Sequence, residues 1–120
     1  MDFPGKVALV TGGANGIGKA TVNAFAKAGA NVAGVDRDEA GAKAVADAVK
    51  MANGDAISIA ADVTKADDVA AYVKATLDAY GTIDCFFNNA GIEGEIKSIV
   101  DYDEAMFDSI MSVNVKGVFL

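Results

Sequence analysis

The sequence predicts an α/β fold: a doubly wound parallel sheet with helices on both faces, in three α/β/α layers. Two observations predict it. Short apolar runs with no polar alternation recur along the 120 residues, as in strands buried on both faces of a parallel sheet. Between them lie longer segments whose apolar residues repeat at helical spacing, the alternation expected of βαβ units. No repeat, low-complexity stretch or proline-rich linker interrupts this order, and the length fits one domain at most.

Val7 to Val10 forms the first strand, and a glycine cluster at Gly12, Gly16 and Gly18 follows at once. Ile17, Thr21, Ala24, Phe25 and Ala28 then recur at helical spacing as far as Gly29, so the glycines sit where a strand turns sharply into a helix. Such a turn is an anion site: glycine lets the backbone approach a phosphate, and the free N–H groups and dipole at the helix start attract negative charge. Asn31 to Val35 is the second strand, ending at Asp36. Dinucleotide-binding folds place there an acid that hydrogen-bonds the adenosine ribose hydroxyls; the alternative is a residue that merely begins a turn. Arg37 beside it offers a guanidinium that could accept a 2′-phosphate.

Asp38 caps a second helix with the stripe Ala42, Val45, Ala46 and Val49, and Asn53-Gly54 turns the chain into a third strand, Asp55 to Ala61. Asp62-Val63 closes that strand, with Thr64 as the expected cap of the helix running from Lys65 to Tyr80 and ending at Gly81. Ile83 to Phe87 is the fourth strand and runs into Asn88-Asn89-Ala90-Gly91. Ile92 to Tyr102 reads as a loop, and a last helix begins near Asp103 with Phe107, Ile110, Met111, Asn114 and Val118 on one face. Asn114 is a polar residue in an apolar stripe, where a buried amide without a partner costs about 1–3 kcal/mol.

Composition excludes several classes of chemistry. There is one cysteine, Cys85, and no histidine, so no internal disulfide, no Ser-His-Asp or Cys-His mechanism and no metal site is expected. The net charge of −7 argues against nucleic acid and anionic membranes as partners. An anionic ligand must therefore be held locally, by backbone amides and a helix dipole. No apolar run is long enough to span a bilayer and Met1-Asp2-Phe3-Pro4 lacks the features of a signal peptide, so a cytoplasmic location is expected.

Four stretches resemble the short-chain dehydrogenase/reductase family: the T-G-x-x-x-G-x-G turn at Thr11 to Gly18, Asp62-Val63, the N-N-A-G run at Asn88 to Gly91, and the N-x-x-G-x-F stretch at Asn114 to Phe119. The resemblance implies a Rossmann-like NAD(P)-binding domain acting between an alcohol and a carbonyl compound. It implies that Asp62 takes the adenine amine and the Val63 amide contacts the ring. It also implies that Asn88 supports the sheet, that Asn89 lies against the cofactor ribose, and that Asn114 holds a water in the proton relay rather than only packing a helix. The implied cofactor set is Gly12, Asn15, Gly16, Ile17, Gly18, Asp36, Arg37, Asp62, Val63, Asn89, Ala90 and Gly91, with Asn114 the catalytic member. Members that prefer NADP often carry a basic residue where Asn15 stands, so NAD is expected over NADP.

The resemblance spans residues 1–120 but only about the amino-terminal half of an ordinary member, whose serine and Tyr-x-x-x-Lys lie further on. No tyrosine here substitutes, since Thr76, Asp84 and Met106 stand four positions after Tyr72, Tyr80 and Tyr102. The expectation is the amino-terminal part of a longer domain, truncated after the fourth strand and following helix, with strand order 3-2-1-4. These 120 residues alone are expected to be inactive in hydride transfer, and association through Phe119 and Leu120 is expected. The complete enzyme would be a homo-oligomer acting on a small alcohol or ketone. The competing readings are a non-catalytic dinucleotide-binding module, a sensor or scaffold, and a ligand-free interaction domain.

Overall fold

The computed structural model describes residues 2–120. Strands β1 (Val7–Thr11), β2 (Asn31–Asp36), β3 (Asp55–Ala60) and β4 (Cys85–Phe87) form one parallel sheet in the order β3-β2-β1-β4, as expected. β1 pairs with β2 from Val7 opposite Asn31 to Thr11 opposite Val35, and with β4 from Ala8 opposite Cys85 to Val10 opposite Phe87.

All five residues of β1 are buried because both faces of the sheet are covered. Helices α1 (Gly16–Lys27) and α2 (Glu39–Met51) pack on one face, where Val10, Val22, Val32, Val45 and Val49 share a core. Helix α3 (Ala66–Tyr80) packs on the other, over Leu9, Val35, Val69 and Tyr72. Adjacent residues Leu9 and Val10 thus serve opposite cores, which is why the strand shows no polar alternation. α1 closes as expected: Gly29 has φ +92°, and the Ala30 N–H donates to the Phe25 carbonyl at 3.0 Å.

On α1, a helix as expected, the inward residues are Gly18 and Val22, while Ile17 is 72% exposed; the Ile17, Thr21, Ala24, Phe25 and Ala28 repeat lines a surface cavity with Phe3. Three local expectations are corrected. Thr64 does not cap α3, because its hydroxyl donates to Asp62 at 2.7 Å; Asp68, in the first turn, reaches back to accept from the Asp62 N–H at 2.8 Å. β4 is shorter than Ile83 to Phe87 because the Asp84 carboxylate, not a strand carbonyl, accepts the Val7 N–H at 2.8 Å.

The third correction concerns the last helix. Chain residues Ile99–Asp101 form a 3₁₀ turn, followed by α4 (Glu104–Met111), a π-helical turn (Ser112–Lys116) and α5 (Gly117–Phe119). Its apolar stripe does not reach the core: Phe107 and Val118 are about half exposed, and Asn114 is exposed as well. Leu120 packs against the α3 core, whereas Phe119 is exposed. Among the described residues no helix is long and apolar enough to cross a membrane.

Candidate nucleotide-binding site

The carboxyl ends of β1, β2 and β4 surround a cavity of about 710 Å³. Ligands bind at this edge in open α/β sheets, where the crossovers of the chain separate to either face. Four segments meet there: Gly12, Asn15, Ile17 and Gly18 from the β1–α1 turn, Asp36 and Arg37 from the tip of β2, Val63 after β3, and Asn89, Ala90 and Gly91 after β4.

The glycine turn is packed as closely as backbone allows. A Cβ on Gly18 would overlap the Gly12 carbonyl oxygen, and one on Gly12 would lie 2.9 Å from Asn89 Nδ2 and 3.1 Å from the Ala90 Cα. Gly12 also has φ +68°. α1 can therefore start directly against the end of β4 only if both positions lack side chains. Gly16 contributes differently: it does not line the cavity, a Cβ there would meet nothing within 4 Å, and its φ of +52° is the requirement.

The electrostatics of the turn are set by what it lacks. No side chain caps α1 and its first turn holds no acid, whereas α2, α3 and α4 carry Glu39, Asp67 with Asp68, and Glu104 in theirs. The first turn of α1 thus holds no acid of its own and no side-chain cap against its partial positive charge. At the tip of β2, Asp36 accepts from the Ala14 N–H through Oδ2 and from the Asp38 N–H through Oδ1, both at 3.0 Å.

β4 is tied to β1 through a residue that sequence reasoning missed. Thr11 is fully buried, and its hydroxyl oxygen accepts from the Asn89 N–H at 2.9 Å and the Ala90 N–H at 3.0 Å. Asn89 Nδ2 adds a bond to the Thr11 carbonyl at 3.1 Å. Asn88 instead donates to the Val118 carbonyl at 2.9 Å, so the sheet support expected of Asn88 falls to Asn89, and Asn88 fastens the last helix. Val35, Asp38, Ala61, Ile92 and Val113 also line the cavity without having been anticipated.

Besides Gly16, two expected site residues are not brought to the cavity, Asp62 and Asn114. Asp62 Oδ1 accepts from the Thr64 hydroxyl at 2.7 Å and the Thr64 N–H at 3.0 Å, and these bonds, with Arg37 and Lys65 nearby, hold its carboxyl below the usual range. Asn114 is fully partnered: its Nδ2 donates to the Ile92 carbonyl and its Oδ1 accepts from the Ile92 N–H, each at 2.8 Å. This clamp holds the strand exit to the π-helical turn, and Gly91 leaves space for it, since a Cβ there would lie 3.2 Å from Asn114 Oδ1. The unpartnered buried amide feared from the sequence does not arise. Its neighbours Ile92 and Val113, rather than Asn114 itself, face the cavity.

A family profile described as short chain dehydrogenase matches residues 6–120. The chain belongs to the short-chain dehydrogenase family. Among its curated relatives, levodione reductase of Leifsonia aquatica is 42% identical over 120 residues, a match covering 98% of this chain and 45% of the relative. Secoisolariciresinol dehydrogenase of Forsythia intermedia is 45% identical over 118 residues, covering 97% of this chain and 42% of the relative. The chain thus spans somewhat less than half the length of these short-chain dehydrogenases. Among solved structures, a 3-ketoacyl-(acyl-carrier-protein) reductase from Brucella melitensis complexed with NADH superposes with a TM-score of 0.92 at 45% identity, covering 98% of this chain and 47% of that one. The crystal structure of levodione reductase superposes with a TM-score of 0.94 at 40% identity, covering 98% and 46%.

Proposed function

We propose that the chain supplies the NAD-binding half of an oxidoreductase that moves hydride between nicotinamide and a small alcohol or carbonyl compound. The observation that carries this is the side-chain-free cradle of Gly12 and Gly18, beside the uncapped start of α1, with Asp36 at the facing strand tip. A helix start with no side-chain cap and no acid in its first turn, reached from the cavity past Gly12, Asn15, Ile17 and Gly18, fits a diphosphate. The NADH in the Brucella melitensis relative supports a nicotinamide dinucleotide as the ligand.

In this reading the glycine-turn amides hold the diphosphate and Asp36 takes the adenosine ribose. Val63 covers the adenine; Asp62 lies outside the cavity with Oδ1 bonded to Thr64, so only its Oδ2 would be left for the exocyclic amine. Asn89, Ala90 and Gly91 bound the nicotinamide ribose. The bound cofactor would supply or accept the hydride. Asp36 favours NAD, since a carboxylate repels a 2′-phosphate; Arg37 is the group that would soften this preference. Any part Asn114 takes in a proton relay would have to be played beside its two side-chain bonds to Ile92.

The proton donor itself is not among these residues: no tyrosine is followed four positions on by lysine. The 120 residues alone therefore bind the cofactor and do not transfer hydride. The competing reading is a non-catalytic dinucleotide-binding module, and a Tyr-x-x-x-Lys elsewhere in the protein would exclude it. A homo-oligomeric, cytoplasmic enzyme is the setting proposed for the whole protein. The test is a fluorescence titration with NADH and NADPH: saturable binding, at least tenfold tighter for NADH, is expected. Equal or tighter NADPH binding would overturn the choice of NAD, and a folded protein that binds neither would overturn the nucleotide reading.

A further inference from the structure

We propose that Asp36 is a positioning residue for the glycine turn, bracing it in the ligand-free protein, in addition to any contact it makes with a ribose. The inference rests on the nucleotide-binding reading for its purpose, but its geometry stands apart from any ligand. Between the end of β1 and the start of α1, the turn is fastened to β2 by two amides. The Gly13 N–H donates to the Val35 carbonyl at 3.0 Å, a bond that any sequence supplies. The Ala14 N–H donates to Asp36 Oδ2 at 3.0 Å, a bond that depends on one side chain.

The brace continues into α2. Asp36 Oδ1 accepts from the Asp38 N–H at 3.0 Å, and Asp38 Oδ1 accepts from the Gly41 N–H at 3.0 Å as the cap of that helix. Ala14 is buried, and its methyl group occupies the space left by Gly41, where a Cβ would come within 3.1 Å. Turn, strand tip and helix start are therefore interlocked through two carboxylates, Asp36 accepting two backbone N–H groups and Asp38 one.

The arrangement calls for an acid. A carboxylate has about four acceptor sites and no donor, so it serves both amides and retains acceptor sites for two ribose hydroxyls. An asparagine would place an NH₂ group against one of the two N–H donors. Selecting the ribose and shaping the phosphate turn are thus one property of one side chain, and a ligand held by the ribose stiffens the turn that holds its diphosphate.

Amide hydrogen exchange of ¹⁵N-labelled protein without ligand tests this. In Asp36→Ala the Ala14 amide is expected to exchange at least tenfold faster than in the parent protein, with Asp38 following, while the β1 amides of Leu9 and Val10 keep their rates. Unchanged exchange at Ala14 with β1 intact would overturn the brace. Should Asp36→Ala lose β1 protection as well, the isosteric Asp36→Asn gives the reading: faster exchange at Ala14 or Asp38 supports the proposal and no change at either refutes it. Saturating NADH is expected to slow Ala14 exchange further in the parent protein but not in Asp36→Ala. A parent protein that fails to bind NADH would sink the nucleotide reading while leaving the ligand-free comparison to decide the brace.

Discussion

Replacing Gly18 with alanine tests how tightly the turn is built. The added Cβ would overlap the Gly12 carbonyl oxygen and lie 2.6 Å from the Gly12 carbonyl carbon and 2.9 Å from Asn89 Nδ2. Two of these three atoms are backbone, so no rotamer change relieves the overlap. Either the first turn of α1 lifts off β1, or the Gly12 peptide rotates and disturbs the Asn89 to Thr11 bond. Overpacking costs about 1–3 kcal/mol where side chains can yield, so about 3 kcal/mol or more is expected here. For a domain of this size that lowers the melting temperature by about 10–15 °C. Gly16→Ala is the matched control: its Cβ meets nothing within 4 Å, leaving only the strain of a φ of +52°, about 1 kcal/mol. The assay is thermal unfolding by circular dichroism, with an NADH titration below the transition. A Gly18→Ala protein that melts no lower than Gly16→Ala, and binds NADH as tightly, would refute the packing argument.

Further outcomes are expected elsewhere. Thr11→Val leaves the Asn89 and Ala90 N–H groups without their acceptor, which should cost about 2–4 kcal/mol in urea unfolding, whereas Thr11→Ser should cost less than about 1 kcal/mol. Asn114→Ala removes both bonds to Ile92 at an exposed position, so a loss of about 1 kcal/mol and faster exchange at the Ile92 amide are expected. The Asp62 carboxyl lies below its ordinary value of 3.8, chiefly through the Thr64 hydroxyl and amide. Its contribution is therefore complete above that value and fades as pH falls through the lower folded value, and Thr64→Val should reduce this acid sensitivity in melts recorded down to about pH 2. Burial, then the Asp55 charge and hydrogen bond, raise the Tyr80 phenol above its usual range. That contribution is full below about pH 10 and lost as pH rises further, so Tyr80→Phe should flatten the alkaline limb of stability.

Much of the fold was legible because its signals are local. An unalternated apolar run implies a strand covered on both faces, and the glycine turn, the Asp36 strand tip and the Asn88 to Gly91 exit each follow such a run directly. Strand order then followed from the family resemblance, and the structure assembles those exits around one cavity. What was not legible depends on partners distant in sequence. Helical spacing shows which α1 residues share a face but not that Val22 and Gly18, rather than Ile17, face inward; an alanine-rich helix offers two apolar stripes. Thr11 reads as the last polar residue of a strand until Asn89 and Ala90 arrive beside it. Thr64 and Asp68 compete for the same helix entry, and only geometry shows that Asp68 reaches the Asp62 amide. Asn114 was recognisable as a residue needing a partner, but Ile92 lies across a loop whose path carries no periodic signal.

If the cavity between the glycine turn, Asp36 and the β4 exit is the nucleotide site, a two-dimensional NMR titration of the labelled protein with NADH will show it, because each non-proline backbone amide reports. Saturable shifts are expected at Gly12 to Gly18, Asp36 to Asp38, Val63 and Asn89 to Ile92, with the outer face of α1 around Ala24 and Phe25 unmoved. Shifts confined to that outer face, or a folded protein with no saturable shift, would contradict it.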